Sequence, residues 1–142
     1  MNTPFYSIVY RAHHALRNRL RPLAEEIGLS NGQPKILNYL IHHDRCKQID
    51  LALDNDIKPA TVSSILNNME EAGLLERLNV ENDKRSGCIA MSEKGRLAQA
   101  EWLNKCHAIE ELALKDFNEV EKEQFEVFLK RMYFNLCDKE LD

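Results

Sequence analysis

The feature that most restricts how this chain can fold is a short helix followed by a glycine stop, a strand and a charged turn. The helix should begin at Lys58-Pro59, where a proline in the first turn loses no hydrogen bond, and end at Gly73. Its buried side recurs at three- and four-residue steps, at Val62, Ile65, Leu66 and Met69. Two short strands, 75–79 and 88–91, then flank a polar turn at 80–87. This order is typical of a winged helix-turn-helix, in which one helix enters the DNA major groove and a hairpin lies beside it.

The segments before this unit predict three helices. The first should span 4–27, with Pro22 inside it, and stop at Gly28. Ser30 or Asn31 should cap the second helix. The third should cover 48–55 and bury Ile49 and Ala52.

Two more helices follow the turn. Ser92 should cap a helix over 93–116, and Asn118 with Glu121 has the form of a capping box that opens a helix ending near residue 137. The last helix should bury an apolar set, Phe125, Phe128, Leu129, Met132 and Leu136. Since a lobe this small cannot cover the long terminal helices, we expect a partner subunit. The fold class expected is therefore mainly α with a small β-hairpin wing, flanked by N- and C-terminal dimerisation helices.

Size and composition favour a globular protein, and hydropathy and motifs argue against a membrane protein and an enzyme. We expect 1–142 to form a single domain, with a winged lobe at 30–92 and dimerisation helices at 4–27 and 93–137. No apolar run reaches the ~18–20 residues of a membrane span, which predicts a cytoplasmic protein without a membrane partner. No phosphate loop, nucleophile elbow or Cys-x-x-Cys pair is present, so we expect no catalysis, cofactor or structural metal.

The side of the recognition helix opposite its apolar stripe is small, polar and uncharged. Ala60, Ser64 and Asn67 point most nearly outward, with Thr61 and Ser63 on the shoulders. Such side chains suit a close approach to base edges, where a hydroxyl or amide can bond and a methyl can meet thymine. Lys58 and the helix N–H groups would then lie near a phosphate. The same pattern also fits a merely solvated face.

The turn between the strands adds the second half of the DNA-binding hypothesis. Lys84 and Arg85 give the hairpin tip positive charge, and an arginine there can enter a narrow minor groove. Asp83 cannot favour DNA itself, and its expected role is to hold the Arg85 guanidinium by a charge-assisted hydrogen bond.

An ordered set of motifs over residues 11–136 resembles the MarR family of transcriptional regulators. The motifs are Gly28-Leu29-Ser30, Asp50-Leu51-Ala52, Thr61-Val62-Ser63, residues 69–77, Asp83-Lys84-Arg85 and Ser92-Glu93-Lys94-Gly95. The resemblance implies a homodimer held by the first, fifth and sixth helices, a pseudo-palindromic double-stranded DNA operator, and often release by a small lipophilic effector. By position, it implies base reading by Ala60, Thr61 and Ser64, and a wing with Asp83 as structural aspartate and Arg85 in the minor groove.

The chain also departs from the family pattern. Ser64 lies where many members carry arginine, and Asn55 where an apolar residue packs the third helix. The winged segment 47–96 contains seven basic and nine acidic side chains, in a chain of net charge -4. These departures leave open a winged-helix module that binds a protein in place of DNA.

Sensor hypotheses also remain at this stage. One hypothesis is zinc sensing, which is suggested by three histidines, His42, His43 and His107. However, no two potential ligands have the sequence spacing of a zinc site. Cys46 or Cys88 could serve redox sensing if its thiol were acidic and exposed, but a cysteine that packs in the core is the commoner case. Tyr39, Trp102 and His107 are candidate linings for an effector pocket that the family resemblance implies.

Overall fold

The structure is a computed structural model that describes residues 2–78 and 87–141, in which the chain forms two compact units, 1–107 and 108–142. The helices are α1 (Phe5–Glu26), α2 (Gln33–Leu40), α3 (Gln48–Asp54), α4 (Pro59–Glu71), α5 (Glu93–Ala113) and α6 (Glu119–Cys137). The strands are β1 (Cys46–Lys47), β2 (Leu75–Leu78) and β3 (Cys88–Met91). The mainly helical winged-helix fold predicted from the sequence is confirmed. No helix in the described part of the chain is long and apolar enough to cross a membrane.

The wing base is a three-stranded antiparallel sheet in the order β1-β3-β2. The two outer strands both pair with β3, so that Cys46 and Arg77 each lie opposite Ile89. The sequence predicted the β2–β3 hairpin but not β1, because two residues are too few to show an alternating pattern. β1 places the start of α3 next to the hairpin.

The core of the first unit lies between α2, α3, α4 and the sheet. Its fully buried side chains are Ile36, Leu37, Leu40, Leu51, Val62, Leu66, Met69, Leu75 and Ile89. Three of the four residues predicted for the buried stripe of α4 are therefore in the core, and Ile65 is partly buried beside them. The opposite side of α4 faces outward.

Two local predictions before α4 are wrong. The N-cap of α2 is Gly32, at φ 83°, and neither Ser30 nor Asn31 caps the helix with its side chain. The Ser30 backbone N–H instead donates to Gln33 Oε1 at 3.1 Å. Ile49 is 52% exposed, while Leu51 and Ala52 are buried. A seven-residue helix has too few apolar positions to determine which side meets the core, so the packing against α4 decides it.

The predicted caps of the last two helices are confirmed. Ser92 Oγ accepts from the Gly95 N–H at 3.0 Å. Asn118 and Glu121 exchange the two side-chain to backbone bonds of a capping box, both at 2.9 Å. Each cap satisfies N–H groups that the helix itself leaves unpaired.

The predicted burial along α6 is wrong for the single chain, since no residue of that helix is buried. The expected core set lies on the surface: Phe125, Phe128, Leu129 and Leu136 are exposed, and Met132 is half-buried. Within the second unit, Phe117 packs beside Phe125 and Arg131 lies over Phe128, and these contacts leave the apolar side chains largely exposed.

Candidate nucleic-acid interface

The outer side of α4 carries the side chains that the sequence predicted to read DNA. Ala60, Thr61, Ser64 and Asn67 are exposed, and Ser63 is half-buried. The helix turns them outward because Val62, Leu66 and Met69 anchor its other side without exposure to water. The face is small and uncharged, so its backbone can approach another surface closely.

The N-terminus of α4 adds positive electrostatic potential to this face. Lys58 is the N-cap, with an extended backbone, no side-chain capping bond and an exposed side chain. Pro59 follows in the first turn. The side chains of Lys58, Thr61 and Ser64 form no hydrogen bond or ion pair with another residue in ranges 2–78 and 87–141. An exposed helix start with an adjacent lysine suits a phosphate.

Two of the predicted DNA-binding side chains are instead held by neighbours. Arg77 on β2 donates to Asn67 Oδ1 at 2.7 Å, and Gln48 on α3 donates to Ser63 Oγ at 2.7 Å. Arg77 also donates to Gln48 Oε1 at 3.3 Å and lies 3.6 Å from the Glu70 carboxylate. We call this set, Gln48, Ser63, Asn67, Glu70 and Arg77, the Arg77 network. The sequence did not assign Gln48 or Arg77 a role, because the three elements that meet here are distant along the chain.

The wing tip is not part of the described structure. Asp83, Lys84 and Arg85 lie outside the described residues, and their DNA contacts stay predictions. The strands that lead to the tip are in place, with Leu78 opposite Cys88 at the last described pair.

The unusual Asn55 is accommodated by hydrogen bonds. Its side chain is buried and donates to the Leu51 carbonyl at 2.9 Å, while its own carbonyl accepts from Lys35 Nζ at 2.6 Å. Tyr39 donates to Asp54 Oδ2 at 2.6 Å, and burial, followed by this bond, raises the pKa of the Tyr39 hydroxyl. The Lys35 and Tyr39 bonds fasten α2 to α3, and the buried Asn55 amide costs little because it is satisfied within α3.

The end of α4 is fastened to the start of α5. Ser92 Oγ donates to the Gly73 carbonyl at 2.5 Å and Lys94 Nζ to the Ala72 carbonyl at 2.6 Å. Gly73, at φ 76°, ends α4 as predicted. Gly95 lies so close to Leu74 that a Cβ there would clash with the Leu74 carbonyl oxygen. The helix that would read DNA therefore has a fixed C-terminal end.

A cavity of about 830 Å³ lies between α1, α2 and α5 within the first unit. Leu16, Leu20 and Trp102 contribute apolar surface, and Arg17 and Lys35 contribute cations. Of the three predicted linings only Trp102 belongs to this cavity. Tyr39 and His107 do not line it.

The structure offers little support for the sensor hypotheses. Burial is the largest cause that raises the pKa of the Cys46 thiol to about 11, so the nucleophilic thiolate is disfavoured at neutral pH. His43 stacks on Tyr39, with ring centroids 4.0 Å apart. Across residues 2–78 and 87–141, no three His, Cys, Asp or Glu side chains cluster as a metal ion requires.

Comparisons with known proteins agree with this fold. A model of the MarR family matches residues 27–86. The chain is 31% identical over 68 residues to the uncharacterized HTH-type transcriptional regulator YwhA of Bacillus subtilis (strain 168), covering 48% of this chain and 49% of that protein. It is 28% identical over 85 residues to the HTH-type transcriptional regulator FarR of Neisseria gonorrhoeae, covering 60% and 58%. The chain thus spans about half the length of the curated relatives it matches.

The solved structures extend the likeness along the chain. A putative MarR family transcriptional regulator from Listeria monocytogenes, complexed with 26mer DNA, superposes with a TM-score of 0.85. The sequences are 25% identical, and the superposition covers 97% of this chain and 91% of that one.

Proposed function

We propose that the chain is a transcriptional regulator of the MarR family, whose model matches residues 27–86, and that it binds a pseudo-palindromic DNA operator sequence-specifically as a homodimer. The observation that carries the proposal is the outer side of α4, where Thr61 and Ser64 are exposed without a partner among the described residues. A regulator of this kind has no catalytic machinery, in line with the expectation that the chain is not an enzyme.

Each site residue has a role in this proposal. Ala60, Thr61 and Ser64 read bases in the major groove, while Lys58 and Ser63 contact phosphates and Asn67 extends the reading face. In the wing, Arg85 occupies the minor groove, held by Asp83, and Lys84 adds charge beside it. The exposed helix start at Lys58 supports the phosphate role.

Exposed apolar side chains support the homodimer. On α1 they are Phe5, Tyr6, Ile8 and Tyr10, and on α6 they include Val127, Phe128 and Leu136. Apolar surface of this extent is uncommon on a monomer and marks an interface. A second copy of the chain would cover it through the terminal helices 4–27 and 93–137, which together with the lobe 30–92 form the proposed single domain.

We further propose that the protein is a repressor released by a small, as yet unidentified effector. The cavity between α1, α2 and α5 supports this step, because it is of ligand size and combines apolar walls with cations. It is lined by Pro34 and Lys35, at the start of α2, a helix of the winged lobe.

Selection from a pool of random duplex DNA tests the proposal without knowledge of the operator. We expect enrichment of a two-fold related sequence whose half-sites lie ~10 bp apart, one helical turn, because two recognition helices must meet the same side of DNA. A pool that remains random after repeated rounds would refute sequence-specific binding.

The alternative, a winged-helix module that binds protein, is favoured by one observation. The winged segment has more acidic than basic side chains, and two of its cations face carboxylates, Arg77 with Glu70 and Arg96 with Asp44. Such a module would show no salt-dependent affinity for any duplex DNA.

A further inference from the structure

Arg77 lies at the point where β2, α3 and α4 meet, and its guanidinium contacts a side chain from each of the two helices. One terminal nitrogen donates to Asn67 Oδ1 at 2.7 Å, and the other donates to Gln48 Oε1 at 3.3 Å. The planar guanidinium presents its donors in a fixed geometry, which a lysine ammonium cannot reproduce. The side chain therefore determines how both amides are turned.

The Gln48 contact passes this orientation on to Ser63. Since Gln48 accepts from Arg77 with its oxygen, its amide nitrogen is the group that donates to Ser63 Oγ, at 2.7 Å. Ser63 Oγ and Asn67 Oδ1 are thus both acceptors within the protein. Each oxygen already accepts a bond within the protein, so the groups that each side chain offers most freely to an outside partner are its hydrogens, the Ser63 O–H and the Asn67 NH₂.

The charge of Arg77 is largely balanced where it lies. Its Nε is 3.6 Å from Glu70 Oε2, and its side chain is about one-third exposed, compared with 46% for Glu70. A nearby carboxylate weakens the attraction between an arginine and a phosphate, so an arginine that served mainly to bind phosphate would not be expected beside one. The arrangement fits a role in which geometry matters more than net charge.

We propose that Arg77 is a positioning residue for DNA recognition: it fixes Asn67, and through Gln48 also Ser63, as hydrogen-bond donors on the outer side of α4. This inference rests on the proposed function and extends it to specificity. Donors of this kind match the acceptor atoms of phosphates, of purine N7, of guanine O6 and of thymine O4. Asn67 held in this way is not presented for the two-bond pairing with adenine, which uses its oxygen as acceptor.

The test compares Arg77→Lys with the wild type on the DNA selected from the random pool and on scrambled DNA, across a salt series. Arg77→Lys keeps the positive charge but loses the planar guanidinium whose two terminal nitrogens bond Asn67 and Gln48. We expect the ratio of operator to scrambled affinity to fall about tenfold, while scrambled affinity falls no more than about twofold, through the phosphate contact of Ser63, and the salt slope stays at the wild-type value. Arg96→Lys is the matched control, since Arg96 lies outside the network, and should leave the ratio unchanged.

A second background separates positioning from a general loss of structure. In a Ser63→Ala, Asn67→Ala protein, Arg77→Lys should change the ratio less than twofold, because the side chains it positions are gone. An equal tenfold loss in that background overturns the proposal. So does a wild-type ratio for Arg77→Lys, or a loss of scrambled affinity equal to the loss for operator, which marks a direct phosphate contact.

A measurement without DNA distinguishes failure of this inference from failure of the proposed function. In the ¹H–¹⁵N spectrum of the free protein, the Asn67 side-chain NH₂ signals, assigned by their loss in Asn67→Ala, should shift in Arg77→Lys. Unshifted signals overturn the Arg77 role even if the wild type binds its operator. A wild type that does not distinguish operator from scrambled DNA overturns the proposed function and the specificity role, whatever these signals do.

Discussion

Polar side chains on the outer side of α4 differ in what the protein itself does with them. Thr61 and Ser64 have no partner among the described residues, whereas Ser63 and Asn67 are bonded to Gln48 and Arg77. A helical wheel predicts that all four face outward, because the 3.6-residue period of the helix alone determines the direction of each side chain. It cannot predict the network, since bonds among α3, α4 and β2 depend on how the elements pack.

Thr61 should contribute to recognition through its hydroxyl without affecting stability. Thr61→Val keeps the shape and removes the hydroxyl, so we expect the ratio of operator to scrambled affinity to fall about fivefold, near the ~1 kcal/mol of one hydrogen bond. The melting temperature should stay unchanged. Thr61→Ser retains the hydroxyl and is the control. If Val is tolerated and Ser is not, the methyl group makes the contact and the assigned role is wrong.

Cys46 should behave as a structural thiol. With its pKa raised to about 11, its thiolate fraction at pH 8 is about two orders of magnitude below that of an ordinary thiol. Iodoacetamide labelling followed by peptide mass spectrometry should therefore be much slower at Cys46 in the native protein than in urea. Because the folded pKa is raised, the thiol's contribution to stability is complete below pH ~9 and is lost as the pH rises towards 11. Native labelling as fast as in urea would revive the redox hypothesis.

Side-chain hydrogen bonds join the end of α4 to the start of α5. Ser92 caps α5 through the Gly95 N–H and also bonds the Gly73 carbonyl, so a single residue serves both helices. The sequence predicts these caps because Ser92 and Asn118 each accept a hydrogen bond from a backbone N–H only three residues further along the chain. The sequence does not predict three other features, because each depends on an element that is distant along the chain. They are the cap of α2, the strand β1 and the exposure of Ile49.

Gly95 should be essential to this junction. A Cβ at residue 95 would clash with the Leu74 carbonyl oxygen, which belongs to the backbone and cannot move aside alone. We expect Gly95→Ala to lower the free energy of unfolding by about 2–3 kcal/mol, measured by urea denaturation. Gly87→Ala is the matched control, with no atom within 4 Å of the added Cβ, and should cost less than ~0.5 kcal/mol. Equal stability of the two variants would mean that the close approach does not exist in solution.

For the molecule as a whole, the principal finding is that the apolar side chains of α6 do not form a core within one chain. The sequence predicts that these positions avoid water. It could not distinguish burial within the chain from burial against another copy, because both require the same residues. The proposed homodimer would account for that surface and for the exposed aromatic residues of α1.

Dimerisation should depend on the apolar surface of α6. Phe128 is 55% exposed, and Phe128→Glu places a charge where the partner copy is expected. We expect the variant to sediment as a monomer in analytical ultracentrifugation at concentrations where the wild type is a dimer, since a buried unpaired charge costs several kcal/mol. Glu123→Lys, an exposed change on the opposite side of α6, should remain dimeric. A dimeric Phe128→Glu protein would place the interface elsewhere.

Binding of the purified wild type to DNA from upstream of its own gene, followed by fluorescence anisotropy across a salt series, tests the central claim most directly. We expect tight binding that resists competition by scrambled DNA and weakens steadily as salt rises, because phosphate contacts release counterions. Affinity no greater than for scrambled DNA, and no salt dependence with either duplex, would contradict a DNA-binding regulator and favour a winged helix whose partner is a protein.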